Sequence, residues 1–156
     1  MDIIYTIPED KLAPYLSEDE DTGGKAGWLS MDELNSLAEP TTVKRAELKS
    51  HSGCNKDVCI DVVGKSTHVD SWSTSAFGNV GCLYAWFYTD GKIYKRSKHI
   101  CPEHAGPGVY YSLGLANKSF SDGTKLCNKW FDTVGTPPKP TGKRLPGNPC
   151  AEIIKK

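Results

Sequence analysis

The side chains best equipped for chemistry in this sequence gather in two short stretches. His99-Ile-Cys-Pro-Glu-His104 brings two imidazoles, a carboxylate and a thiol close together. Imidazole and carboxylate suit either a metal site or an acid–base pair. The spacing matches no recurrent metal-ligand pattern, and a polar loop closed by a disulfide at Cys101 accounts for it more simply. His68, Asp70 and Ser71 hold the three residue types of a hydrolytic triad. A triad is defined by geometry, however, and on a strand His68 and Asp70 share a face from which Ser71 points away. No Gly-x-Ser-x-Gly elbow is present. A cysteine nucleophile would need a free thiolate. The six cysteines, Cys54, Cys59, Cys82, Cys101, Cys127 and Cys150, are even in number and form no CxxC pair. They read as three disulfides, with the pairing left open by the spacing. No residue is therefore assigned as catalytic, as a metal ligand or as a cofactor contact.

Two further groups suit binding rather than bond-making. Trp72, Tyr84, Trp86, Tyr88, Tyr94, Tyr110, Tyr111 and Trp130 are the densest aromatic set, fit for carbohydrate stacking or a protein interface. Alternation puts Cys82, Tyr84, Trp86 and Tyr88 on one face and Leu83, Ala85 and Phe87 on the other. The Trp86 face is expected inside, because Cys82 lies on it and cysteine is commonly buried. Lys92, Lys95, Arg96 and Lys98 form a basic cluster, able to meet an anionic partner or the acidic Glu18–Asp21 run. No RRM, KH or helix-turn-helix signature points to nucleic acid. Asn117-Lys-Ser is a glycosylation sequon, which carries no weight in a bacterial host.

The elements that must position these groups change character near residue 50. Ile3, Ile4, Tyr5 and Ile7 predict a short strand, and Pro8 and Pro14 break any helix between them. Ser17 to Lys25 is acidic and then flexible, which reads as a linker. Ser30 caps a short helix, Glu33 completes the capping box and Pro40 stops it. Met31, Leu34 and Leu37 give that helix one narrow apolar face. Two turns are not stable alone in water, so the helix must dock on its own domain or on another protein.

Beyond residue 50 the period becomes that of strands. Val58, Ile60 and Val62 alternate, and His68 to Thr74 is a second strand. Asp90-Gly91 between β-rich runs predicts a type I′ turn that sets Thr89 opposite Lys92, Tyr88 opposite Ile93 and Phe87 opposite Tyr94. Further strands are expected at Gly108 to Leu113 and from Lys125 to Phe131. The Pro- and Gly-rich tail from Thr136 to Pro149 ends at Cys150, which pins it back. The expected fold is mainly β: a small disulfide-stabilised antiparallel β-sandwich over residues 51–156. An extended acidic N-terminal arm, residues 1–50, carries one short helix.

Charge follows the same division. Residues 1–53 hold 11 acidic and 5 basic side chains, and residues 54–156 hold 8 and 14. The halves thus attract each other, or each attracts a partner of opposite sign. Hydrophobic residues are 38% of the 156, so the core is lean and covalent staples would supplement it. Disulfides persist outside the reducing cytosol, which predicts a secreted, extracellular protein. No apolar run approaches the roughly 18 residues of a membrane span, and no secretory apolar segment is visible. A signal peptide is therefore expected to have been removed.

The runs Gly53-Cys-Asn-Lys-Asp-Val-Cys-Ile-Asp-Val-Val-Gly, Gly78-Asn-Val-Gly-Cys, Asp122-Gly-Thr-Lys-Leu-Cys-Asn-Lys-Trp and Gly147-Asn-Pro-Cys-Ala-Glu-Ile resemble small secreted proteins of Streptomyces and related actinobacteria. The resemblance spans about residues 53–154 and implies secretion and a β fold. An extended arm before a small β domain is also similar to the adaptor subunit of the actinobacterial umbrella toxin particles. In that family the arm links a stalk protein to a lectin-like subunit. This implies a non-enzymatic adaptor that docks on a protein partner of a secreted complex. Residues 1–45 would make the contact, with Ile3, Ile4, Tyr5, Ile7, Met31, Leu34 and Leu37 as anchors. The alternatives are a secreted hydrolase or toxin using His99, Glu103 and His104, and a glycan-binding module presenting the tyrosines.

Overall fold

The computed structural model describes residues 2–6, 9–43, 51–78, 81–103, 106–114 and 117–155. Their backbone is dominated by antiparallel strands. In chain order these are β1 (Asp2–Thr6), α1 (Glu9–Leu12), a 3-10 turn (Ala13–Tyr15), β2 (Leu16–Asp19), β3 (Gly24–Ser30), α2 (Met31–Leu37) and β4 (Glu39–Val43). There follow β5 (His51–Asn55), β6 (Val58–Lys65), β7 (His68–Gly78), β8 (Leu83–Thr89), β9 (Lys92–Arg96) and β10 (Gly108–Gly114). The last four are β11 (Lys118–Ser119), β12 (Lys125–Val134), β13 (Lys139–Arg144) and β14 (Cys150–Glu152).

Two sheets make the body. One runs β2-β3-β10-β7-β6-β5, with β11 also on β7; the other runs β13-β12-β8-β9, with β14 also on β12. Alternation explains which faces meet. Val58, Ile60 and Val62 of β6 and Trp72, Thr74 and Ala76 of β7 are buried on the inner face of the large sheet. Leu83, Ala85 and Phe87 of β8 and Leu126, Asn128 and Trp130 of β12 are buried opposite them. Trp72 meets Phe87 edge-on at 5.0 Å between ring centroids, and Tyr110 meets Trp130 at 6.2 Å. Burying one indole removes roughly 200 Å² from water, about 5 kcal/mol of gross apolar stabilisation. The expected sandwich is present.

Two indoles of the inter-sheet layer, Trp72 and Trp130, also find acceptors across the gap. Trp72 Nε1 donates to Asn128 Oδ1 at 2.7 Å, and Trp130 Nε1 donates to Thr74 Oγ1 at 3.0 Å. Both strands thus supply one donor and one acceptor at i, i+2 spacing, which keeps them on one face.

The disulfides are Cys54–Cys59, Cys82–Cys101 and Cys127–Cys150, and no cysteine is free. Cys54 faces Cys59 across β5 and β6, and Cys127 faces Cys150 across β12 and β14. The bridge between Leu83 and Ile100 sets Cys82 beside Cys101. Two disulfides therefore tie paired strands directly, and Cys82–Cys101 ties the segments beside the Leu83–Ile100 bridge. Cys150 pins the tail as expected.

Several expectations need correction. The stretch Ser17 to Lys25 is no linker: it spans β2, a turn and β3, and β3 pairs with β10 from Leu113↔Lys25 to Gly108↔Ser30. Ala26, Trp28 and Leu29 are buried there, so this part of the supposed arm is wall of the body. The close fit is visible at Gly108, where a Cβ would come within 2.4 Å of the Trp28 indole. Between Pro8 and Pro14 one helical turn, α1, does form, because proline is tolerated at the first turn of a helix. The Pro- and Gly-rich tail contains β13, which pairs with β12.

The Asp90-Gly91 turn forms with φ of 48° and 80°, and Thr89↔Lys92 and Tyr88↔Ile93 pair as expected. A bulge then shifts the register, so Phe87 faces Lys95 instead of Tyr94. The Leu83 face of β8, not the Trp86 face, joins the core between the sheets; on the Trp86 face Tyr84 and Tyr88 are nonetheless buried, at 7% and 9% exposure, and Trp86 is half-buried. Cys82 was a poor guide to the core because its disulfide sits at the rim of the strand, where Cys101 is exposed.

Candidate functional site

The N-terminal residues expected to anchor a partner fall into two groups. Ile3, Ile4 and Tyr5 lie in β1, whose backbone partners are Thr42, Thr41 and Pro40 of β4. This two-stranded ribbon belongs to neither sheet of the body. Lys11 Nζ donates to Glu39 Oε1, tying α1 to the start of β4. Ile7 lies outside the described residues. Met31, Leu34 and Leu37 lie on α2, which begins with the expected capping box: Glu33 N donates to Ser30 Oγ, and Ser30 N donates to Glu33 Oε1. All three are half-buried, and the helix lies against β3 and β10 of its own chain.

The basic cluster receives the acidic run in cis, but largely through backbone. Lys95 Nζ donates to Thr22 O at 2.7 Å, and Lys98 Nζ donates to Ser17 Oγ and Glu18 O at 2.6 and 3.1 Å. Asp19, 1% exposed, accepts from Lys98 N and Asp21 N, both at 2.9 Å.

The three triad candidates do not come together, as the alternation along the strand predicts. His68 Nε2 lies 3.4 Å from Asp70 Oδ1 and 3.1 Å from Asn117 Oδ1, and Nδ1 lies 3.2 Å from Ser119 Oγ. Ser71 takes no part in this group. Ser119 is the direct cross-strand neighbour of His68, so the contact is a sheet-edge pair that holds β11 on β7. The His68 and Asp70 side chains are 45% and 64% exposed, unlike a water-excluded catalytic dyad. His99 stands edge-on to Tyr84 at 5.4 Å, and Glu103 is exposed. His104 lies outside the described residues. With all six cysteines oxidised, no thiolate nucleophile exists. Among the described residues no group of three His, Cys, Asp or Glu side chains could hold a metal.

The outer face of the five-stranded sheet is the most distinctive surface. Paired residues share a face, so the register sets three rows across it. They are Arg144–Phe131–Tyr84, Lys129–Trp86–Arg96, and Cys150–Cys127–Tyr88–Ile93. Phe131 lies 4.7 Å from Trp86 and 5.7 Å from Tyr84 between ring centroids. The Arg96 guanidinium sits 5.3 Å over Trp86, and Lys129 Nζ sits 4.8 Å over Tyr88. Burial pushes the Tyr84 and Tyr88 phenols up, while the Arg96 and Arg144 guanidiniums pull against it. Sequence reasoning found these aromatics but not Phe131, Lys129 or Arg144, whose place follows only from the pairing of β12 with β8 and β13.

Fold and surface together define a disulfide-stapled antiparallel β-sandwich with a cationic aromatic face and a separate N-terminal ribbon. No protein-family model, curated protein or solved structure matches the chain. Among the described residues no helix is long and apolar enough to cross a membrane.

Proposed function

We propose that this chain is a secreted, non-enzymatic adaptor that engages a protein partner of an extracellular assembly through the β1–β4 ribbon. The observation that supports it is the ribbon itself. Two strands of five residues that join no larger sheet are marginal in water. Such a pair gains most from a third strand, and an extended segment of a partner supplies one by adding to a free backbone edge. Ile3, Ile4 and Tyr5 occupy the middle of β1, where strand-forming side chains favour that addition. Three disulfides support an oxidising compartment. Because β2 and β3 belong to the body, the test cannot remove residues 1–45. Ile4→Pro instead breaks pairing within β1 alone. The intact protein is expected to capture a stoichiometric partner from the producing organism's culture supernatant, and Ile4→Pro to lose it. Equal capture by both overturns the proposal. So does hydrogen-exchange protection of residues 2–6 in the isolated monomer that equals protection of β8.

A further inference from the structure

We infer that the outer face of the five-stranded sheet is a binding site for an acidic, uronate-bearing oligosaccharide, independent of the ribbon. The face combines the two recognition chemistries such a ligand needs. Trp86 and Phe131, both half-buried, pack with the buried Tyr84 in one aromatic cluster, and the two partly exposed rings are able to meet the flat C–H face of a sugar ring. Around it stand Arg144 at one end of the first row and Lys129 and Arg96 at the two ends of the second. The Arg96 guanidinium lies over the Trp86 ring, and the planar fork of a guanidinium offers a carboxylate two N–H donors at a time.

The cluster opens into a groove of about 800 Å³ bounded by Tyr94, His99 and Pro140, in the size range of small-ligand sites. Asp21 is the one carboxylate among the described residues that line it. The charge therefore selects an anion. The rings tilt against one another by 22° to 47°, with centroids 4.7 to 6.2 Å apart. They do not stand apart as separate platforms for successive nucleobases, which favours a sugar over a nucleic-acid strand.

Trp86 also supplies the readout, because Trp28, Trp72 and Trp130 are buried at 4%, 1% and 0% exposure. The whole chain would be titrated with oligogalacturonate, following tryptophan emission and heat. A saturable change is expected, with affinity reduced at least about tenfold when the ligand is fully methyl-esterified and neutral. Arg96→Ala, at an exposed position, is expected to weaken binding about tenfold with an unchanged circular dichroism spectrum. Trp86→Phe is expected to abolish the emission change. Equal binding of the methyl ester, tighter binding of polyglutamate or oligothymidylate, or no binding of oligogalacturonate would each overturn the assignment. None of these variants touches β1 or β4, so the two proposals fail separately.

Discussion

Asn128 shows how much a single polar residue can carry in a lean core. It is fully buried, accepts from Trp72 Nε1, and donates through Nδ2 to Trp86 O at 3.2 Å. It therefore joins the layer between the sheets to the strand that presents the outer aromatic face. Removing the amide strands an indole N–H in a dry interior and leaves a void. Asn128→Ala is expected to lower stability by about 2–3 kcal/mol, read from urea unfolding. Asn128→Leu should recover little of the loss, since it fills space without restoring an acceptor. A change under about 0.5 kcal/mol for either would mean that the bond is not worth its geometry. Nothing in the residue pattern marks Asn128 for this role. It sits in Lys125-Leu-Cys-Asn-Lys-Trp, where alternation places it on the Trp130 face, but an isolated buried amide reads as an exposed one until its partner strand is known.

At the level of elements, the legible parts are those whose signals are local. The Asp90-Gly91 turn, the Ser30 capping box and the alternation of Val58, Ile60 and Val62 each rest on a few adjacent residues, and each forms. The third pair of the hairpin slips because a bulge answers to the sheet's twist, not to the turn. Strands at a rim are the hardest to read. β2 is polar and acidic, and all six residues of β13 are exposed and include proline and glycine, so neither carries an apolar stripe. Their partners, not their propensities, make them strands. The binding face was half legible for the same reason: the aromatic residues stood out, and their orientation depended on which strands flanked them. Cys127–Cys150 spans 23 residues and holds β14 and the tail onto β12. Replacing both cysteines by serine is expected to cost about 3 kcal/mol in urea unfolding, as the unfolded chain regains a long open loop. A double variant as stable as the parent would show that β13 and β14 hold without it.

Across the whole molecule the buried phenols act together. Burial raises the pKa of Tyr84, Tyr88, Tyr110 and Tyr111, and Tyr110, beside Asp132, is pushed up to about 12. Unfolded tyrosines release their protons near pH 10. Below that, folded and unfolded chains are both protonated and these groups favour neither. Above it, the unfolded chain ionises first and is favoured. The denaturation midpoint is therefore expected to fall steadily between about pH 10 and pH 12. Tyr110→Phe should fall less steeply over that window, although it also loses the bond from Tyr110 Oη to Gly81 O. A flat midpoint across the window would mean that these phenols ionise in the folded protein as freely as in the unfolded chain.

The ribbon's attachment has a mechanical meaning. β1 returns to the body at Leu16 through α1, and β4 leaves it at Ser30 through α2, both at the same end of the β2–β3 hairpin. A tug on the handle would thus be shared between these two roots and the chain that runs on from β4 to β5. Each root continues into a strand lying flat in the large sheet, so a pull along that strand loads its row of backbone bonds together, not one after another as in a zipper. Tethered cargo would tear the handle's own two strands apart before it dislodged the wall to which they are joined.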